Sequence, residues 1–318
     1  MCSISPYPQN HVDEHSMHVT LNEVKSPLMK DFLSKVIELS KVDANIIIAG
    51  EQGTGKQWYA ELIHKLSTGE QDKLLHLSCD FYSPQFLNEA FPSFFLSNEI
   101  LKDTGCNTNI LIDNFFQLPS EQQVKLLDYL VKTKTELAAT SGEKNRFIFT
   151  VDSNFNRVIK SNYIWDYLSH FFNPISIIIP PLREHREDIF PYIDLFIEQA
   201  SYKLSESTKQ IPSKDMKISD QALYKCITYD WPGNIRQLKN AVTHAFISAK
   251  GKLIMPDDLP GSLSADVYSN PKHRKLNQNL SYKNAEKQLL DKIYLEKQRE
   301  ILTSNITNWI KSVLKKNK

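Results

Sequence analysis

No apolar run in this 318-residue chain approaches the roughly 18–20 residues that a membrane span needs. The first nineteen residues are polar and lack the apolar centre of a signal peptide. Cysteine is sparse, with four residues at Cys2, Cys79, Cys106 and Cys226 and no C-x-x-C spacing. That excludes a disulfide framework and a cysteine-built zinc site, and it leads to the expectation of reduced thiols in a cytoplasmic protein. His11, His15 and His18 have no Cys at ligand spacing and lie in a polar leader, so they read as solvent-exposed side chains and not as metal ligands. Only 9 residues are glycine, and none follows Gly261. Charge of one sign is missing overall, at net +1, but not locally. From residue 269 to the end, twelve Lys/Arg stand against four Asp/Glu, which leaves −7 for residues 1–268.

Three of the few glycines fall within six residues. The run is Gly50-Glu51-Gln52-Gly53-Thr54-Gly55-Lys56, preceded by apolar Ile46-Ile47-Ile48-Ala49 and followed by a helix-like stretch over 57–67. A buried strand, a glycine turn and a helix start are the context in which G-x-x-x-x-G-K cradles phosphate. Glycines let backbone N–H groups converge on phosphate oxygens, and Lys56 adds a point charge. The bland alternative is a plain glycine turn. The next position usually offers a Ser or Thr hydroxyl to magnesium; here it is Gln57, an amide and a poorer ligand.

Around the cradle, apolar residues recur at helical spacing from Met29 to Leu39, and residues 118–131 repeat the pattern behind Pro119 and Ser120. Short runs at 74–77 and 110–112 read as strands, and 147–151 and 175–179 as a third and fourth central strand, the last stopped by Pro180-Pro181. Strands alternating with helices predict an α/β fold with a doubly wound parallel sheet, and a ligand at the carboxyl ends of its strands. The chain then reads as all-helical from Leu182 to about Lys250. The expected organisation is a flexible leader (1–25), an α/β subdomain (26–182), a helical lid (183–261), a linker (262–282) and a basic helical tail (283–318).

Four stretches resemble the AAA+ module of bacterial enhancer-binding proteins, the sigma-54-dependent transcription activators. The first is the cradle itself, where the lack of Ser or Thr at Gln57 is close to normal for that family, in which an acidic residue commonly follows the lysine. The second is I-L-I-D-N-F-F-Q-L-P-S-E-Q-Q-V-K-L-L-D-Y-L from Ile110, similar to the Walker B strand and its helix. The third is P-P-L-R-E-H-R-E-D-I from Pro180, similar to P-P-L-R-E-R-x-E-D-I. The fourth, W-P-G-N-I-R-Q-L from Trp231, resembles the sensor II signature. Together they cover about 26–260 in order and spacing. The resemblance implies a P-loop AAA+ fold with ATP or ADP held by Gly50, Glu51, Gln52, Gly53, Thr54, Gly55, Lys56 and Gln57. It also implies Mg²⁺ held through water by Asp113, and Arg236 reaching toward the phosphates. For Trp231 alone, ordinary core packing is the better reading.

The departures from that family bear on activity. Asn114 stands where a water-polarising Glu would follow Asp113, and an amide cannot accept a proton as a carboxylate does. Ser78 takes the place of the Asn that pairs with that Glu, and Asp152 puts a carboxylate at the sensor I position. Trp165 and Phe171 occupy the two arginine-finger positions, and no Lys or Arg lies between Lys160 and Arg183. The stretch 91–109, where the family carries its G-A-F-T-G-A contact loop, is short and has Gly105 as its sole glycine. The expectation is an AAA+ core with no catalytic residues and little or no ATPase.

The tail shows Ala285, Leu289 and Ile293, then Ile306, Ile310 and Leu314, at helical spacing. Its last stretch, with Lys311, Lys315 and Lys316, is similar to a recognition helix whose cations meet DNA phosphates. The Ala-Ala pair and turn glycine of a helix-turn-helix are missing, so an oligomerising or docking helix pair stays open. The leading expectation is a DNA-binding transcription regulator, with RNA polymerase or another transcription factor as partner, no membrane, and homo-oligomerisation left open. The alternatives are an active ATPase activator and a non-enzymatic interaction scaffold.

Overall fold

A computed structural model of the chain describes residues 24–67, 73–81, 108–140, 146–152, 163–208, 216–249, 253–261 and 263. The leader histidines, Cys2 and Cys106, most of the 91–109 stretch, the linker from 264 on, and the tail with Lys311, Lys315 and Lys316 lie outside the described residues. Two compact units emerge, one holding residues 31–181 and the other residues 24–30 together with the chain from Leu182 on.

The first unit is a five-stranded sheet flanked by helices. In chain order its elements are α1 (Pro27–Ser40, which the boundary between units divides), β1 (Ile46–Gly50), α2 (Lys56–Ser67), β2 (Lys73–Ser78), β3 (Thr108–Asp113), α3 (Ser120–Thr140), β4 (Arg146–Asp152), α4 (Tyr163–Phe172) and β5 (Ile175–Ile178). All pairings are parallel, in the order β2-β3-β4-β1-β5. Parallel strands need helical crossovers, and those crossovers cover the sheet faces. This is why β1 is buried along its whole length and β4 along all but its last residue. One core joins Ile47, Leu77, Ile110, Ile112, Phe147 and Phe149 of the strands to Leu127 of α3 and Ile164, Leu168 and Phe172 of α4.

Two sequence expectations need correction here. Residues 175–179 do not form a central strand: β5 is a sheet edge paired with β1, and its Ile175 and Ile178 side chains are exposed. A run of isoleucines is apolar on both faces, so composition alone does not separate an edge from a centre. The helix expected over 118–131 runs instead from Ser120 to Thr140. Its later turns are polar and carry no apolar period, but Lys, Glu, Leu and Ala are good helix formers.

The second unit contains α5 (Ile189–Thr208), β6 (Lys217–Ile218), α6 (Asp220–Thr228), α7 (Asn234–Ser248) and β7 (Leu253–Ile254). It is not all-helical, because β6 and β7 pair in parallel, a two-residue contact too short to leave a periodic signature. Its core gathers Leu182, Ile189, Ile193, Leu223, Trp231 and Leu238. Trp231 is fully buried, and its indole N–H donates to the Cys226 carbonyl at 2.7 Å. It sits in the left-handed region at φ 50°, which an aromatic residue adopts only when its surroundings enforce it. The W-P-G-N and P-P-L-R-E stretches meet in this unit, where Asn234 Oδ1 accepts from the buried Leu182 N–H at 2.9 Å. A buried carboxylate closes the same unit. Asp188 accepts from the backbone N–H groups of Lys25 and Ser26, from the Ser26 hydroxyl and from His185 Nδ1.

Candidate nucleotide site

β1, which lies between β4 and β5, ends at Gly50, and α2 begins six residues later at Lys56. The turn between them depends on glycine. Gly53 and Gly55 have φ of 81° and 92°, a region closed to most side chains. At Gly50 the constraint is space, since a Cβ would lie 2.8 Å from Thr54 Oγ1 and 3.2 Å from Ile179 Cβ. The Thr54 hydroxyl is turned inward and donates to the Glu51 carbonyl at 2.8 Å. Lys56 is buried, and its ammonium folds back over the turn, 2.9 Å from the Gly50 carbonyl and 3.2 Å from that of Glu51. A cation held over a turn of this shape is suited to phosphate oxygens.

Asp113 ends β3, and the register pairs it with Ser78 of β2. Thr150 of β4 donates its hydroxyl to Asp113 Oδ1 and accepts the Asn114 backbone N–H at 2.9 Å. His76 Nε2 lies 3.9 Å from Asp113 Oδ2. Burial alone would raise the Asp113 carboxyl. The His76 ring, the Thr150 hydroxyl and the Lys56 charge outweigh it and hold the carboxyl below its usual range. Next to it, Glu61 on α2 accepts from the Gln57 amide at 2.9 Å. Burial pushes the Glu61 carboxyl up, against that hydrogen bond and the His76 and Lys65 charges.

Asn114 adopts the left-handed conformation, φ 55° and ψ 40°, which Asn tolerates better than most residues. Its amide donates to Asp80 Oδ2 at 2.7 Å. Asp152 at the end of β4 pairs in register with Gly50, so an exposed carboxylate stands beside the first residue of the cradle. Among the described residues no group of three or more His, Cys, Asp and Glu could hold a metal ion. One ionised carboxylate beside a phosphate cradle does fit Mg²⁺, which keeps most of its waters and binds through one or two carboxylates plus phosphate.

The sheet agrees with comparison to known proteins. The Sigma-54 interaction domain family matches residues 23–95, and the AAA+ ATPase lid domain family matches 183–276. Regulatory protein AtoC of Escherichia coli is 27% identical over 270 residues, covering 79% of this chain and 54% of its own. The transcriptional regulator NtrC of Salmonella typhimurium is 26% identical over 271 residues, covering 78% and 54%. The chain thus spans about half the length of these two relatives. Among solved structures, NtrX from Brucella abortus in complex with ATP superposes with a TM-score of 0.60 at 20% identity, over 94% of this chain and 72% of that one. NtrX has also been crystallised with ADP.

The chain has the P-loop AAA+ fold. The two domain matches, with these regulators among the relatives, support the enhancer-binding protein family.

Within this AAA+ chain, the cradle from Gly50 to Gln57 and Asp113 belong to the first unit, and Arg236 is exposed on α7 of the second. Ser78 is half-buried at the end of β2. At the finger positions, Trp165 is half-buried against the core and Phe171 is exposed. A cation from α3 reaches the same place: Lys134 Nζ donates to the Phe171 carbonyl at 2.8 Å, a favourable charge at the end of α4. Sequence reasoning missed His76, Glu61, Thr150 and Asp80. Two of them had a signal, since His76 shares a strand face with Ser78, and Glu61 lies one helical turn after Gln57.

Proposed function

We propose that this chain is a DNA-binding transcription regulator whose nucleotide-binding AAA+ core has lost most of its hydrolysis machinery and its sigma-54 contact loop. The observation that carries the loss is α4. Its ten residues, Y-I-W-D-Y-L-S-H-F-F, hold neither Lys nor Arg. An arginine acting on a transferring phosphoryl group is worth about 10³–10⁵ in kcat. In this reading the backbone of Gly50, Glu51, Gln52, Gly53, Thr54 and Gly55 cradles the phosphates of ATP or ADP, with Lys56 as the point charge, Gln57 at the helix start and Arg236 as a further phosphate contact. Mg²⁺, held through water by Asp113, would neutralise charge between the phosphates. The working end is the basic tail, where Lys311, Lys315 and Lys316 meet DNA phosphates. RNA polymerase or another transcription factor is the protein partner, and copies of this chain can assemble. NtrC is a transcriptional regulator by name and AtoC a regulatory protein, which supports the regulatory part of the reading. No described helix is long and apolar enough to cross a membrane.

The test is binding of the full chain to labelled duplex DNA across a salt series, compared with a variant carrying Lys311→Ala, Lys315→Ala and Lys316→Ala. Each phosphate contact contributes about 0.9 to the log–log salt slope. The variant should bind more weakly at every salt concentration, with a slope shallower by about 3. Equal affinity and slope would remove the tail from the proposal. ATP turnover equal to that of a finger-bearing relative would remove the loss of the motor.

A further inference from the structure

The carboxylate missing after Asp113 has a counterpart in the turn that follows the neighbouring strand β2. We propose that Asp80 is the proton acceptor of a slow ATP hydrolysis in this chain, held in place by Asn114. The proposal rests on the reading of the cradle as an ATP site.

Three observations converge. The register pairs Ser78 with Asp113, so β2 and β3 end side by side at the carboxyl edge of the sheet. The chain then makes a single 3-10 turn, Cys79–Phe81, which carries Asp80 back to the end of β3. There Asp80 Oδ2 accepts from Asn114 Nδ2 at 2.7 Å. Asn114 is itself fixed, since its N–H donates to the Thr150 hydroxyl that also binds Asp113. The amide is therefore a positioned donor, and the carboxylate is what it positions.

The chemistry suits this arrangement. A proton acceptor needs a carboxylate oriented by a partner and open to water. Asp80 is exposed and Asn114 half-buried. An attacking water forms its bond to the terminal phosphorus as the bond from that phosphorus to the bridging oxygen breaks. ADP leaves with the bridging electron pair, one water proton passes to Asp80, and Asp80 returns it to solvent. Asn114 gives up no proton. The pair divides the two roles between amide and carboxylate, with the carboxylate on the β2 side. Without a finger the reaction stays slow, so the activity is a timer on nucleotide occupancy and not a motor.

The test uses the full chain in excess over ATP labelled at the terminal phosphate, with ATP and ADP affinities titrated separately. The wild type should release phosphate slowly. Asp80→Asn should slow release by at least about 100-fold, the lower end of what general-base loss costs. Because a negative charge leaves the phosphate's surroundings, the same variant should bind ATP about threefold tighter relative to ADP. Combining Asp80→Asn with Asn114→Asp returns the carboxylate to β3 and should restore release at least tenfold. If Asp80→Asn does not fold, Asn114→Ala serves, keeping the carboxylate and removing its holder; release should then fall about tenfold. ATP binding with no wild-type release overturns the proposal, as does unchanged release in either single variant. Failure of the wild type to bind ATP overturns the cradle reading itself, and the proposal with it.

Discussion

Replacing Asp188 by alanine removes the acceptor for four hydrogen bonds at once. The side chain is 1% exposed, and its partners are Lys25 N at 2.6 Å, Ser26 N at 2.9 Å, Ser26 Oγ at 2.7 Å and His185 Nδ1 at 3.0 Å. Hydrogen bonds to a charged group contribute about 1.5–3 kcal/mol each. Their sum overstates the loss, because alanine also relieves the several kcal/mol spent in desolvating the carboxylate. What remains is the cost of leaving the two N–H groups and the imidazole without an acceptor, about 1–3 kcal/mol per group. A net destabilisation of about 3–5 kcal/mol follows, the range found when one partner of a buried pair is removed. The damage should be local. Ser26 caps α1, accepting from Met29 N at 3.2 Å, so residues 24–30 should loosen first. Hydrogen exchange of a peptide covering 24–30 should accelerate by about 100-fold or more, and chemical denaturation should show the loss in the second unit. Asp188→Asn keeps an oxygen for the two backbone N–H groups and should lose about half as much. Acid adds an independent arm. Burial pushes the Asp188 carboxyl up, but the His185, Ser26 and Lys25 hydrogen bonds outweigh it and hold the carboxyl below its usual value. A depressed folded-state value means that the stabilisation is fully present above the unfolded-state pKa of about 3.9. It is lost as pH falls through the lower, folded value. Wild-type stability should therefore fall across that window more steeply than that of Asp188→Asn. A loss below about 1 kcal/mol with unchanged exchange at 24–30 would refute the reasoning.

Lys56→Ala should lower ATP affinity about 10- to 150-fold, the equivalent of one charge-assisted hydrogen-bond partner, while far-UV circular dichroism stays unchanged. Isothermal titration reads it directly, and equal affinity would mean that the turn over Gly50 is not a phosphate cradle. Trp231→Ala should destabilise the second unit by about 3–5 kcal/mol in urea, because a fully buried indole leaves a large cavity and the Cys226 carbonyl loses its donor. A loss under 1 kcal/mol would contradict the packing described for that residue.

Much of the first unit was legible because it is local. The β1–turn–α2 segment announces itself through three glycines, two of which sit at positive φ. The alternation of strands and helices followed from apolar spacing. The strand order did not, since β4 lies between β1 and β3 although it follows β3 in the chain. The residues around Asp113 show the limit most clearly. His76, Glu61 and Thr150 come from β2, α2 and β4, and each is unremarkable among its own neighbours. Asp80 has no signal in the sequence, where resemblance marks Asn114 only as a loss, whereas in the structure that amide donates to the Asp80 carboxylate. The second unit shows the same division. Both of its motifs could be read, but the hydrogen bond between Asn234 and Leu182 joins positions fifty-two residues apart.

The amino-acid sequence by itself determined the glycine turn between β1 and α2, the α/β class and the segregation of positive charge into the tail, because backbone freedom, apolar period and net charge are properties of contiguous residues. Only the tertiary structure decided which strand is an edge and which side chains gather at Asp113, and that Asn114 is bound to a carboxylate in the turn after β2. Those outcomes depend on strand order and register, here Ser78 opposite Asp113. Register is set by packing across the whole sheet and is written in no single segment of the chain.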